Sequence, residues 1–343
     1  MYSAKSRSAN KRGFVFLAVL ALILLGAALL SLCAGSYSTP VGELIRGLFG
    51  RAADRKVNIV VQNNRLPRML TAIVAGAGLG ASGCVLQAIL RNPLASSSTL
   101  GVSQGAGFGA AFAIIVLNAG ASAYSGVLVP VMAFVGSMAV ALLILALTRL
   151  TKISAEGIVL SGVAISSMLS GATTLIQYFA DEVQLSTLVF WTFGDLSSPG
   201  WKDIRVMAAV VALTGAYFML HRWDYNALLS GTETAISVGV NVNRITMINM
   251  ILCCLTASTI VSYIGLIGFI GLVAPHIVRQ AIGSNHTFLI PGSMLTGAAL
   301  LLLGDLVART AASPIQLPIG AITSFLGGPL FLYLLFKGNK REC

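Results

Sequence analysis

The charges of this chain fall in a few clusters, and the stretches between them are too long and too apolar for a water-soluble core. No Asp, Glu, Lys or Arg occurs from Phe14 to Ala34, Met69 to Leu90, Asn92 to Thr148 or Gly157 to Ala180. The same holds from Val206 to Leu220, Ile245 to Val278, Gln280 to Gly304 and Thr310 to Phe336. A helix needs about 20 mostly apolar residues to cross a bilayer, where each backbone N–H and C=O must find its partner inside the protein. The stretch from Asn92 to Thr148 is long enough for two spans and a turn. Barrel strands would alternate strictly over about ten residues, and no such alternation runs through these segments.

Composition agrees. Hydrophobic residues make up 56% of the 343 and charged residues 10%, where a soluble domain carries about 25% charged. Mean hydropathy is +0.88. Even large soluble domains bury only about 75% of the surface their unfolded chains expose, so a soluble enzyme, a disordered chain and a disulfide scaffold are all excluded. The expectation is an all-α, polytopic membrane protein of about ten transmembrane helices. The net charge of +11 is read as basic cytoplasmic loops rather than a nucleic-acid surface. Cys33, Cys84, Cys253 and Cys254 lie in apolar segments and no C-x-x-C occurs, so neither a zinc nor a redox site is expected.

Residues 1–13 read as a cytoplasmic basic tail, 14–337 as a single transmembrane domain and 338–343 as a short cytoplasmic tail. The first span is Phe14–Ala34. Residues 36–64 read as a polar loop, and the second span starts at RLPRML (65–70), with Pro67 in the first turn, where its missing N–H costs nothing. Further spans are expected near 100–117, 125–148, 155–179, 204–220, 245–266, 287–308 and 319–336, with a broken loop and short helix at 265–280. Residues 181–203 read as an acidic, aromatic loop with one short helix. With ten spans both termini share a side, and placing them inside puts 13 of the 22 Lys and Arg in cytoplasmic segments, the expected sign. Gly76 and Gly80, Gly101 and Gly105, and Gly105 and Gly109 have the spacing that lets helices approach closely, within the chain or between copies.

Four features carry chemistry. None of the seven lysines follows a glycine, so there is no phosphate-cradling G-x-x-x-x-G-K-[ST] loop, and an ATP-driven process would need a separate ATPase. Arg65 and Arg68 flank Pro67 at the outer mouth, and Arg309 ends the ninth span; Arg suits bidentate pairing with carboxylates, and snorkelling to lipid headgroups is the alternative. Asp305 precedes Arg309 by four residues, so the two can form an ion pair on one helix face. His221 and His286 read as solvated span ends, and His276 as a packing residue.

Several segments resemble one family, the type II ABC importer permeases for iron–siderophore, haem and cobalamin. They are RLPRMLTAIVAGAGLGASGCVLQAILRNPLASSSTLGVSQGAGFGAA (65–111), the loop near 226–240, GLIGFIGLVAPHIVRQAIGSNHTFLIPGSMLTGAALLLLGDLVART (265–310) and PIGAITSFLGGPLFLYLLFK (318–337). The resemblance implies the type II importer fold, a second permease copy (a homodimer before a heterodimer), two ATP-binding cassette ATPase subunits and a periplasmic or lipid-anchored substrate-binding protein. It implies no cofactor and no chemistry in this chain. By resemblance, Arg65, Arg68 and Arg309 receive glutamates of the binding protein. Asn92 and Leu94 in RNPLA form a cytoplasmic gate, for which an ordinary Asn-Pro turn is the plain alternative, and Ser154 is a further gate candidate. The 226–240 loop couples to the ATPase through Gly231, Glu233, Gly239 and Val240; Ser230 and Thr232 depart from the family's more usual Leu and acidic residue.

The function so implied is the permease subunit of an importer in the prokaryotic cytoplasmic membrane, moving a metal chelate by alternating access: a ferric siderophore first, haem or cobalamin next. Two other classes stay open. An ion-coupled secondary transporter would need several buried acids and broken inverted helices, and Asp305 alone approaches that. An intramembrane enzyme would need paired catalytic groups at membrane depth.

Overall fold

The computed structural model describes residues 2–34, 40–119, 125–151, 155–312 and 315–339, which form fifteen α-helices and, among the described residues, no strand. The helices are α1 (Tyr2–Cys33), α2 (Val41–Leu48), α3 (Arg55–Val60), α4 (Leu66–Ile89), α5 (Val102–Ala111), α6 (Ser125–Thr151), α7 (Ala155–Tyr178) and α8 (Glu182–Phe193). There follow α9 (Trp201–Leu220), α10 (Arg222–Leu229), α11 (Thr232–Ser237), α12 (Val242–Ile264), α13 (Ile270–Ile282), α14 (His286–Thr310) and α15 (Ile319–Asn339). Among the described residues, seven stretches are long and apolar enough to cross a membrane: those in α1, α3–α4, α6, α7, α9, α12 and α14. Shorter apolar helices at Val102–Val116, Ile270–Ile282 and Ile319–Leu334 bring the apolar helices to the expected ten.

Two helices start earlier than the sequence suggests. α1 begins at Tyr2, so the basic tail continues the first span as helix. The second span is a continuous helix from Arg55 to Ile89 rather than starting at Arg65. Asp54 caps its start by accepting the Lys56 N–H at 2.8 Å. A π-turn at Val61–Arg65, in which the Leu66 N–H reaches the Val61 carbonyl, sits just before Pro67. A wider turn there accommodates the proline ring, which would clash with the carbonyl of a regular turn. The short helix expected in the 181–203 loop is α8, whose Asp181 and Gln184 form a capping box.

α4 is the centre of the bundle. In its apolar window 78% of residues are buried, against 17% for α7 at the edge. The packing depends on missing side chains. A Cβ on Gly76 would overlap the Gly297 carbonyl oxygen, and one on Gly80 would overlap that of Ser293, so α4 and α14 meet backbone to backbone. A Cβ on Gly109 would likewise overlap the Met132 carbonyl, joining α5 to α6. The close glycine spacings therefore serve packing within the chain.

Candidate functional site

At one end of the bundle, α1, α4 and α14 are tied by arginines. α1 ends with carbonyls that have no partner within the helix. Arg65 Nη1 donates to the Leu32 carbonyl at 2.7 Å, and Arg309 donates to the Ala34 carbonyl at 3.1 Å and to Ser31 Oγ at 2.8 Å. These cations complement the negative end of the α1 dipole. Arg68 reaches across from α4. Its Nε donates to Asp305 Oδ1 at 2.8 Å, its Nη2 lies 2.8 Å from the same oxygen, and its Nη1 donates to Gln316 Oε1 at 2.8 Å. Arg309 Nε lies 3.0 Å from Asp305 Oδ2, a charge contact without hydrogen-bond alignment.

Asp305 is fully buried. Arg65 and Arg68 are buried as well, and Arg309 is half-buried. The three arginines thus share one end of the bundle, but each also has partners inside the chain. The sequence pairs Asp305 with Arg309; the Arg68 contact, from a helix 237 residues away, is additional.

Beside the cluster lies a cavity of about 500 Å³ bounded by Arg68, Trp191, Asp195, Tyr263 and Gln316. Asp195 accepts from Ser197 Oγ (2.5 Å), the Ser197 N–H (2.8 Å) and Ser198 Oγ (2.6 Å). Burial pushes its carboxyl up, but these bonds and the Arg68 charge outweigh burial and hold it below the ordinary carboxylate value.

At the other end, the turn after α4 carries Asn92 and Leu94. Asn92 Oδ1 accepts the Leu94 N–H at 2.9 Å, an Asx turn that fixes the segment, and Leu94 stands exposed. Arg91 there adopts a left-handed conformation, φ 44°. Ser154 lies outside the described residues.

Gly231 (φ 110°) and Gly239 (φ 88°) bound α11, both in conformations L side chains rarely adopt. α11 buries Ala235 but exposes Ile236, with Glu233 exposed in its first turn and Val238 exposed just after its end. Val240 is partly buried.

Of the two histidines read as solvated ends, His286 is buried, whereas His221 closes α9 with its side chain about a third exposed. His286 is 1% exposed, with Nδ1 3.0 Å from Asn226 Oδ1 and its ring edge-on to Tyr225. His221 Nδ1 pairs with Asp224 Oδ2 at 2.6 Å. His276 stacks edge-on to Phe331 and meets Gln280 Nε2 at 3.3 Å. Among the described residues no group of three His, Cys, Asp or Glu could hold a metal.

One feature escaped the sequence reading. On α7, Ser167, Ser170, Gly171 and Thr174 are exposed at helical spacings of three and four, and form a polar stripe along a membrane-length helix. Ser167 and Thr174 bond back to their own helix at Val163 and Ser170. The signal was the recurrence of Ser, Gly and Thr in an otherwise apolar span.

The FecCD transport family matches residues 22–337. A protein of Methanocaldococcus jannaschii described as an ABC transporter permease, MJ0087, is 46% identical over 339 residues, covering 97% of each chain. The Fe(3+)-citrate import system permease protein YfmE of Bacillus subtilis is 33% identical over 98% of this chain and 99% of its own. A solved chain in an inward-facing conformation, described as a metal-chelate type ABC transporter, is 32% identical with a TM-score of 0.82, covering 94% of this chain and 98% of that one.

Proposed function

The chain belongs to the FecCD transport family, and we propose that, as the transmembrane permease of an ABC importer, it carries a ferric chelate across the cytoplasmic membrane, both termini lying inside. The family works with an ATPase and a substrate-binding partner. In this reading two ATPase subunits, a second copy of the chain and an exported or lipid-anchored binding protein complete the machine. Residues 14–337 act as one permease domain. The ferric chelate is favoured by the similarity to the Fe(3+)-citrate permease and to the metal-chelate transporter.

The observation that carries the reading is α11. It is a six-residue helix held between two positive-φ glycines, and the segment between them presents Ile236 and Val238 outward from a chain with no phosphate loop of its own. Such a helix offers an apolar surface that a partner can cover. Gly231, Glu233, Gly239 and Val240 make the ATPase contact. Its movement opens and closes the gate formed by the Asn92–Leu94 turn, with Ser154 opposite.

Arg65, Arg68 and Arg309 receive carboxylates of the binding protein. The Arg68–Asp305–Arg309 group joins two guanidiniums to one carboxylate, so it keeps a positive charge at that rim. The Ser, Gly and Thr stripe of α7 faces the second copy, since small residues of this kind favour helix–helix contact within the membrane.

Replacement of 231–239 by a Gly/Ser linker tests this. It touches no span and leaves insertion intact, but co-purification with the ATPase is lost or hydrolysis proceeds without transport. Normal uptake by the linker variant would remove α11 from the coupling role.

A further inference from the structure

Just before α11, the two residues Tyr225 and Asn226 on α10 fasten the same short helix to two different long ones. The Tyr225 hydroxyl donates to Asn249 Oδ1 on α12 at 2.6 Å, and Asn249 Nδ2 donates in turn to the Ile245 carbonyl at 2.7 Å. Both Tyr225 and Asn249 are fully buried. Asn226 grips the start of α14. Its Oδ1 accepts the His286 backbone N–H at 2.8 Å and faces His286 Nδ1 at 3.0 Å, while its Nδ2 donates to Asn285 Oδ1 at 3.1 Å. Asn285 is the N-cap of α14 and accepts the Thr287 N–H at 3.0 Å. A side chain from α10 therefore completes the cap of α14, satisfying an N–H that the helix cannot satisfy itself.

The first turn of α14 depends on that cap more than most. Pro291 lies inside the helix, so the Thr287 carbonyl receives no bond from the residue four positions on. The Thr287 hydroxyl is buried without a hydrogen-bond partner among the described residues. From His286, α14 runs nineteen residues to Asp305, about 29 Å at 1.5 Å per residue. Along the way it is locked backbone to backbone on α4 at Gly76–Gly297 and Gly80–Ser293. At its far end Asp305 holds Arg68 of the same α4. α4 and α14 are thus joined in the middle and at one end, and their opposite end is capped from the segment that leads into α11.

We propose that Tyr225 and Asn226 are the joint through which displacement of the coupling segment reaches the rest of the chain. Tyr225 passes it to α12 through Asn249. Asn226 passes it to α14 through the His286 backbone, and the α4–α14 pair carries it to the Arg68–Asp305–Arg309 cluster. These are positioning residues: they touch neither nucleotide nor cargo. The proposal rests on the reading of α11 as the ATPase contact and adds the path by which the two ends communicate. A hydrogen-bonded joint suits this task where its partners are buried, as Tyr225, Asn249 and His286 are, because its alternatives are then discrete. Either the bonds hold and the helices move together, or buried polar groups are left unpaired at a cost.

The test measures the coupling between the two ends in the reconstituted complex with its ATPase. The affinity for the substrate-binding protein is determined with and without a non-hydrolysable ATP analogue, and the ratio is the coupling factor, which in wild type is of the order of tenfold. Asn226→Leu removes the cap and brings the ratio close to one, while ATPase association and the nucleotide-free affinity stay at wild type. Asn226→Asp keeps the acceptor oxygen and restores most of the ratio, a rescue that loss of stability would not produce. Tyr225→Phe deletes one hydroxyl, lowers the ratio part of the way, and decides the matter if Asn226→Leu does not assemble. A wild-type ratio in Asn226→Leu, or in Tyr225→Phe where the first is not obtained, overturns the joint. If the 231–239 linker variant keeps the wild-type ratio, the reading of α11 falls instead, so the two failures are distinguishable.

Discussion

Asp305 on α14 holds Arg68 on α4 through a 2.8 Å hydrogen bond with no solvent exposure of the carboxylate. The contact closes one end of the helix pair at the centre of the bundle. Breaking a buried ion pair by removing one partner leaves the other charge uncompensated, which costs about 3–5 kcal/mol.

Asp305→Ala is therefore expected to destabilise the chain by about 3–5 kcal/mol, because it strands Arg68 and Arg309 together. Thermal unfolding of the purified permease in detergent measures this. Arg68→Ala alone is the smaller change, since Arg309 remains beside the carboxylate. Equal, near-zero shifts for both variants would mean that the contact does not hold α4 to α14.

The glycines of α4 make a second prediction. Gly76→Val and Gly80→Val push side chains into the α14 backbone and should cost at least the roughly 1–3 kcal/mol of ordinary overpacking. Gly26→Ala on α1, where a Cβ meets nothing within 4 Å, should be neutral. The yield of folded, monodisperse protein separates the two groups. Wild-type yield from Gly80→Val would contradict the backbone contact.

At the arginine rim, each of Arg65→Ala, Arg68→Ala and Arg309→Ala should weaken the binding protein's affinity by roughly 1 kcal/mol, and Arg→Glu should do more. High salt should weaken wild-type docking and shrink the difference between wild type and Arg→Ala. Removing Arg68 or Arg309 also disturbs Asp305, so combining Asp305→Asn with Arg68→Ala and with Arg309→Ala separates docking from packing. If all three Arg→Glu variants bind as tightly as wild type at low salt, the docking surface lies elsewhere.

Asp195 gives a pH dependence. Its folded carboxyl titrates below the ordinary value, so the charged form stabilises its loop at every pH above the unfolded pKa of about 3.9. That stabilisation is lost as pH falls through the depressed folded value. Amide exchange of 195–200, corrected for intrinsic rates, should be flat from pH 7 to about pH 5 and rise only in stronger acid. Asp195→Asn should remove the dependence. Loosening that begins near pH 6 would contradict the assignment.

The long charge-free segments made ten apolar helices legible, and Asp305–Arg309 was legible because both lie on one helix face four residues apart. Arg68 was not, because its partner is 237 residues away and local spacing carries no information at that range. Gly76 and Gly80 announced a close helix contact but not that α14 supplies it. His286 was misread as a solvated end: its position at a span boundary suggested water, whereas Asn226, sixty residues earlier, encloses it. The start of the second span was hidden by the polar residues before Pro67, which the helix accommodates through a π-turn. On α7 the Ser and Thr spacing was present in the sequence, but only the packing reveals which of its faces is uncovered.

The most direct measurement is uptake of radiolabelled ferric chelate into proteoliposomes holding the chain with its ATPase, with the chelate and the binding protein supplied on the side opposite the ATPase. The account predicts accumulation against a gradient that requires ATP on the ATPase side and persists when ionophores collapse proton and sodium gradients. Uptake that proceeds without ATP and follows an imposed ion gradient would contradict it and would make the chain an ion-coupled carrier.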